Sequence, residues 1–531
     1  MDIRKIKLLF ITILYLKPVQ VYYRLYYFLR NRLFRKKKGK KKAANCSPVI
    51  WENGFNYGNS FLDKDNSFVF LNLSHSFSDK IDWNYNRFGK LWAYNLNYFD
   101  FLNQENISKE TGLILIQDFI ENDDLLKDGK EPYPISLRGI NWVKFLSNNQ
   151  LKDELINNTL YFHYSILFKN LEYHLLGNHL LENAFSLLFG AYYFQDEKLY
   201  TKSYNLLISE LNEQVLKDGA HFELSPMYHQ IILSRVLDSI QLIKLNSTWK
   251  KNDLISFLEH KASLMISWLQ NITFRSGKIP MVNDATYNIA PSSNKLFSYA
   301  KNLGILNQKI PLSDSGYRKI ISDNYELLID VGNVGPDYQL AHAHSDSFNF
   351  ELIKGGNPIF VDTGISTYEK NKRRQEERST HSHNTVEICS QNQTQVWGGF
   401  RVARRAKIIN LKEDNLRISA THDGYKRKDF EHQRAFEWSD YDITIRDVLN
   451  KSSSNKAQAH FHLHSSIIKP ILKNDKVILS DRNISISFVG HSKIKITSYD
   501  LSLGFNKTNK AFKLIIDFDK NLKTLINLPN G

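Results

Sequence analysis

Cysteine is nearly absent: Cys46 and Cys389 are the only two in 531 residues. A pair so far apart in sequence provides neither a disulfide framework nor a set of thiolate metal ligands. Long apolar runs are missing too. The run LLFITILYL has nine residues, too few to span a bilayer, and Lys17, Pro18 and Arg24 interrupt any extension of it. No glycine-rich phosphate loop, serine nucleophile elbow or paired-cysteine zinc ribbon stands out. Excess positive charge is scarce over most of the chain, although the net charge is +15. Residues 1–42 carry 14 Lys/Arg against one acid, Asp2, so +13 of that total lies there and the other 489 residues hold only +2. A body this close to neutral lacks the basic surface that tracks phosphates, and no nucleic-acid partner is expected.

The basic segment itself opens MDIRKIK, then LLFITILYL, the order found at the start of a signal peptide. No small-residue cleavage site follows; the chain continues VYYRLYYFLRNRLF into the run RKKKGKKK. An aromatic, basic stretch ending in lysines is what an anionic membrane surface attracts. Residues 1–45 are therefore expected to form an arm outside the folded body and dispensable to it. The arm would make a membrane-surface contact, with a periplasmic or membrane-associated location.

Hydrophobic content of 42 % and aromatic content of 13 % suit a globular chain, and its length suits two domains. From about residue 60 to 300, segments such as LLENAFSLLFGAYYF and HQIILSRVLDSIQLIKL repeat apolar residues at three- and four-residue steps. They recur every 30–40 residues or so, as stacked helical hairpins do, either closed into an (α/α) toroid or left as an open array. Beyond about residue 312 the period shortens. YELLIDVG, SFNFELI, YDITIRDVL and FKLIIDF alternate in the manner of an antiparallel sandwich. The expected class is α+β multidomain: helices over 46–305 and a β-sandwich over 306–531.

Polar residues gather in four stretches of apolar context. YPISLRGINW holds Arg138, Asn141 and Trp142; GNHLLENAFSL opens a helix with Asn178 and His179. DGAHFELSPMYHQ contributes Glu223 and Tyr228 ahead of the next helix. The fourth runs HAHSDSFNFEL, FVDTG, RSTHSHNTVEI, and contains His342, His344, Asp362 and His383. His342 and His344 stand two apart in an extended segment, so a strand would put both rings on one face. Two imidazoles and a carboxylate from neighbouring strands suit zinc. A rival, AHFHLH, alternates His460, His462 and His464 without a nearby carboxylate and reads as an ordinary strand.

Taken in order, LWAYNLNYFDFL, YPISLRGINW, GNHLLEN, SPMYHQ, HAHSDSFNFEL, VDTG and STHSHNTV resemble the heparinase II/III family of polysaccharide lyases over about residues 85–405. The resemblance implies an incomplete (α/α) toroid joined to an antiparallel β-sandwich and an acidic polysaccharide as substrate. It implies β-elimination, in which the C5 proton of a uronate is removed and the C4 oxygen expelled. That proton is barely acidic while the adjacent carboxylate keeps its charge, so a donor must stabilise the enolate-like intermediate. By resemblance Asn178 is that donor and Tyr228 and His342 are the catalytic tyrosine and histidine; Tyr228 can protonate the leaving oxygen, and either can take the proton, depending on which face carries it. His344, Asp362 and His383 match a mainly structural zinc site. Arg138, Asn141, Trp142, His179 and Glu223 would contact the glycan. Two other readings remain open at this stage. One is a glycoside hydrolase using a carboxylate pair such as Glu182 and Glu223; the other is a non-catalytic glycan-binding assembly protein.

Overall fold

The computed structural model describes residues 3–33, 43, 45–78, 80–249 and 252–529. Helices begin where the sequence supplies caps. The Ser108 hydroxyl accepts from the Thr111 N–H, the Asp153 carboxylate from that of Ile156, and the Ser225 hydroxyl from that of Tyr228. Proline occupies the first turn of Pro132–Asn148 and of Pro226–Leu245, where its missing N–H costs nothing. The hairpins build an incomplete (α/α) toroid around Gly177–Phe194, which packs on Pro132–Asn148, Glu197–Gln214 and Pro226–Leu245. Every residue of this inner helix except His179 is buried. A segment apolar on all sides, as LLENAFSLLFGAYYF is, has no other stable place.

The β part is built on two large antiparallel sheets, with Val396–Trp397 and Arg401–Val402 forming a small separate pair. Tyr317–Ile321, Tyr325–Asp330, Phe350–Lys354 and Asn357–Phe360 form a four-stranded meander. A ten-stranded sheet is organised around two long strands, Ile484–Gly504 and Lys507–Asn527. Leu327, Ile329 and Leu352 of the meander share a core with Phe436, Ile445, Phe461 and Leu514 of the larger sheet, which makes the pair a sandwich. Alternation then sends Leu328 to the opposite face, against Trp268 and Ile272 of the helical part. The meander is thus buried on both faces and serves as the junction. Its carboxylates also hold a loop of the helical part: Glu326 accepts from the Arg275 N–H at 3.1 Å and Glu351 from the Met281 N–H at 2.8 Å.

Three sequence expectations change here. Residues 61–76, read as the start of the helical stretch, form a small sheet of strands Phe61–Leu62, Ser67–Phe70 and Leu73–Ser76. Its rings pack on Phe101 and Trp92, so the alternation in SFVF outweighs the helical surroundings. Residues 341–349 are irregular rather than extended strand, and the strand begins only at Phe350.

The third change concerns the arm, which is docked rather than free. Helices Ile3–Ile13 and Pro18–Leu33 lie across both parts of the body. Gln20 is buried and donates to the Leu175 carbonyl at 3.2 Å; the Tyr27 hydroxyl donates to the Leu171 carbonyl at 2.6 Å. On the β side the Trp397 indole donates to the Thr12 hydroxyl at 3.1 Å, and the Arg405 guanidinium stacks on Tyr15. Aromatic residues four apart, Tyr23 and Tyr27, give the second helix a packing face, with Tyr23 stacked on Tyr173 at 4.5 Å. The lysine run at 36–42 lies outside the described residues. No single described helix is long and apolar enough to cross a membrane; the two arm helices pass that test only as a pair bent by 115°. Removing residues 1–33 should lower the melting temperature by about 2 °C or more per kcal/mol of docking energy, without unfolding the body. Matching calorimetric melting curves for full-length and shortened protein would show that the docking contributes nothing.

Candidate active site

A cleft of about 1820 Å³ opens between the helical part and the β part, and Asn178, His179, Tyr228, His342 and Tyr368 are among its walls. Asn178 enters at the start of the inner helix. The two residues before it have left-handed backbone: Leu176 at φ 63° and Gly177 at φ 58°. A Cβ on Gly177 would come within 2.4 Å of a Glu223 oxygen, so only glycine permits this approach. Leu176 has no such exemption and holds a backbone conformation rare for side-chain-bearing residues, a feature that clusters at functional sites. Glu223, buried below, accepts from the Asn178 backbone N–H at 3.0 Å and from its amide Nδ2 at 2.9 Å. That amide nitrogen also lies 3.4 Å from His342 Nε2.

His342 is set from behind. Its Nδ1 donates to Asp284 Oδ2 at 2.8 Å, which leaves Nε2 as a lone pair at the cleft wall. The Tyr228 ring lies against the imidazole, centroids 3.9 Å apart, and its hydroxyl shares a hydrogen bond with the Tyr368 hydroxyl at 3.1 Å. Burial pushes the Tyr228 phenol well above its ordinary pKa, so the resting hydroxyl keeps its proton.

Asp284 is fully buried, and its carboxylate accepts four hydrogen bonds from three residues. Besides His342, its Oδ1 accepts from His344 Nε2 at 2.9 Å, and Arg374 grips both oxygens at 2.5 and 2.7 Å. Burial alone would raise this carboxyl, but Arg374 and the two imidazoles outweigh it and hold it well below the usual range. Arg374 is itself held by the Gly399 carbonyl and lies over Tyr368 at 4.9 Å.

Because Asp284 takes the Nε2 proton of His344, the other nitrogen, Nδ1, is left without a partner in the interior. Two more orphaned buried atoms lie beside it, His383 Nε2 and Asp346 Oδ2, all three groups offering donor atoms within 4.8 Å of one another. Burial holds the His344 ring down to about 4 and lifts the Asp346 carboxyl to about 6. Two neutral imidazole nitrogens and one carboxylate oxygen, unpaired in a dry interior, fit a zinc-type ion. Asp362 is not the third donor expected from the sequence. Its oxygens are occupied by the Gly364 N–H, the Asn349 amide and His383 Nδ1, the last at 2.8 Å. It orients His383 from the far side, and Asp346 faces the cluster instead.

Of the five residues expected to contact glycan, His179 alone lines the cleft, its ring tilted against that of Tyr133 and held by Glu172 at 3.0 Å. Arg138, Asn141 and Trp142 are fully buried. Arg138 donates to the Asn97 and Gly129 carbonyls; Asn141 donates to the Tyr98 carbonyl and the Asp100 carboxylate; Trp142 packs between Phe99 and Phe119. Their helix turns these three away from the cleft, so they hold the toroid together. Glu223 acts through Asn178 rather than from a cleft wall. Glu182 is buried against Arg235 at 3.1 Å, so the Glu182/Glu223 pair needed for hydrolysis does not flank any space a glycan could enter. His460 and His462 sit buried on one strand with rings 6.4 Å apart, as a packed strand would place them.

Residues 135–304 match the family description Heparinase II/III N-terminus, and residues 306–528 match Heparinase II/III-like, C-terminal. A heparin-sulfate lyase of Bacteroides thetaiotaomicron is 26% identical over 240 residues, 37% of this chain and 34% of that protein. One from Bacteroides stercoris is 22% identical over 318 residues, 54% of this chain and 46% of the other. These alignments span less than half the length of either relative. In three dimensions the chain superposes on a crystal structure of heparinase III with a TM-score of 0.65 at 16% identity, over 97% of this chain and 92% of that one. With both family descriptions satisfied in order over most of its length, the chain belongs to the heparinase II/III family.

Proposed function

We propose that this protein is a polysaccharide lyase that cuts a uronate-containing glycan by β-elimination. The observation that carries the reading is the meeting of three groups at one cleft wall: the Asn178 amide, the His342 Nε2 lone pair and the protonated Tyr228 hydroxyl. Relatives named heparin-sulfate lyases support an acidic, glycosaminoglycan-like substrate. The Asn178 amide donates to the substrate carboxylate, where negative charge builds as the C5 proton leaves. His342 Nε2, turned to the cleft by the Nδ1 hydrogen bond to Asp284 behind it, takes that proton. The electrons left at C5 form the C4–C5 double bond, the C4–O bond breaks, and Tyr228 delivers its proton to the departing oxygen. A zinc ion bound by His344, Asp346 and His383 would rigidify the loops that carry His342. The His344 ring that binds it also shares Asp284 with His342.

We also propose that the arm rests on a membrane surface. Its outer face exposes Ile3, Phe10, Leu14, Tyr22, Leu25 and Phe28, and basic residues Lys5, Lys7 and Arg32 flank them. An apolar stripe of this kind beside cations suits an anionic leaflet, and it would hold the cleft close to that surface.

Absorbance near about 235 nm, produced only by an unsaturated uronate, tests the reaction on a panel of uronic-acid polysaccharides. A reducing-end increase without that absorbance would mean hydrolysis. Tyr228→Phe should lower kcat by about 10³-fold with glycan binding retained, since only the proton-carrying oxygen is lost; wild-type rates would remove Tyr228 from the chemistry. Asp284→Asn should lower kcat by at least about 10²-fold. It should also cost about 3–5 kcal/mol in denaturant unfolding, because Arg374 is left as a buried charge without its partner. An unchanged unfolding midpoint would refute that role. His344→Ala and Asp346→Asn should each lose metal and melting temperature together, whereas His342→Ala should keep metal and lose turnover. Metal analysis in which Asp362→Asn loses the ion and Asp346→Asn keeps it would reverse the roles of the two carboxylates.

A further inference from the structure

Most charged groups along the cleft already have partners. Lys90 reaches Glu131 at 2.7 Å and Asp128 at 3.8 Å, Arg235 is held by Glu182, and Glu172 by His179. Arg24 and Arg401 differ. Both line the cavity, Arg24 from the arm helix Pro18–Leu33 and Arg401 from the short strand Arg401–Val402 of the β part. Among the described residues neither guanidinium has a carboxylate partner or a hydrogen-bond acceptor. Arg401 lies over the Trp397 indole at 4.8 Å, a contact that fixes the plane of the group and leaves its N–H edges free. The two guanidiniums face the same cavity, and the Arg401 charge adds to the desolvation that lowers Arg24. The same Arg24 charge also lowers His174 on that wall, after burial.

Two like charges facing one cavity without a counter-ion destabilise each other. An anion held by both removes the repulsion and adds charge-assisted hydrogen bonds, bidentate where the group is planar. Lys278 and Lys370 also line the cavity without a salt bridge among the described residues, so the two arginines belong to a wider basic wall, of which they alone offer unpaired planar guanidinium forks.

We infer that Arg24 and Arg401 together form an anion-recognition site that grips a carboxylate or sulfate group of the bound glycan, making the N-terminal arm part of the substrate cleft. The inference rests on the reading of the cleft as glycan-binding. It assigns both arginines as substrate-positioning residues: they fix the register of the chain relative to Tyr228 and His342 and take no part in proton transfer.

The test uses the full-length protein with Arg24→Gln, Arg24→Lys and Arg401→Gln. Inorganic sulfate titrated calorimetrically at low chloride should bind the wild type saturably. Each glutamine variant should weaken it by about tenfold, with Arg24→Lys in between because the charge remains and the fork is lost. On the uronate polymer that is turned over fastest, the glutamine variants should raise KM by about tenfold with kcat within about twofold. Superimposable melting curves would confirm that the fold is intact. Equal sulfate binding by wild type and both glutamine variants, or none by the wild type, would overturn the inference, as would an unchanged KM. If sulfate binding depends on both arginines while no polymer is eliminated, the lyase reading falls and the anion site stands.

Discussion

The clasp of Arg374 on Asp284 is the contact on which the rest of the site depends. A carboxylate buried this completely would ordinarily take up a proton and lose its power to orient anything. The guanidinium keeps it ionised, and each oxygen then dictates the tautomer of one histidine. Oδ2 accepts from Nδ1 of His342 and so presents Nε2 to the cleft; Oδ1 accepts from Nε2 of His344 and so presents Nδ1 to the cluster with Asp346 and His383. One anion thereby gives two rings, two residues apart, opposite chemical faces. The sequence expectation of two rings sharing one strand face could not produce that division of labour. An irregular 341–349 segment does, because it lets each ring approach a different oxygen.

A second buried cluster supports the first. Arg434 pairs with Asp447 and donates to the carbonyls of Phe348 and Asn384, the two loops that deliver His344 and His383. His432 completes it from the same sheet at 2.7 Å. Buried ion pairs of this kind contribute little net stability, since desolvation offsets their attraction. Their effect here is positional: irregular backbone around the site has few ladder hydrogen bonds, and charged side chains supply the missing fixed points.

How much of this was legible in the sequence follows from which signals are local. Helical and strand periods are local, and the α-then-β order and the inner helix at Gly177–Phe194 were readable from them. Asn178, Tyr228 and His342 stood in recognisable polar stretches and do converge. Asp284, Arg374 and Tyr368 did not stand out. VNDATYN and KRRQEER have no spacing that betrays a partner 90 residues away, which is the separation of Asp284 and Arg374. Arg138, Asn141 and Trp142 misled for the opposite reason. A polar patch next to a tryptophan looks like a sugar contact, whereas here the patch satisfies backbone carbonyls inside the toroid. Asp346 was hidden by Asp362, which shares the neighbourhood but faces the other nitrogen of His383. The docking face of the arm escaped notice because its tyrosines read equally well as membrane-surface residues.

The meander Tyr317–Phe360, covered on one side by the sandwich and on the other by Trp268 and Ile272, has a thermodynamic consequence of its own. A hinge there would expose apolar surface on whichever face parted, at about 25 cal/mol per Å². Wide jaw-like closure of the cleft is therefore disfavoured, and the groove is rigid before any ligand arrives. If the ligand is the polymer proposed above, the ordering entropy of association would then fall on its own torsions. A pre-shaped slot of this kind would select stretches of chain that are already stiff or extended, and would discriminate against coiled ones of the same composition.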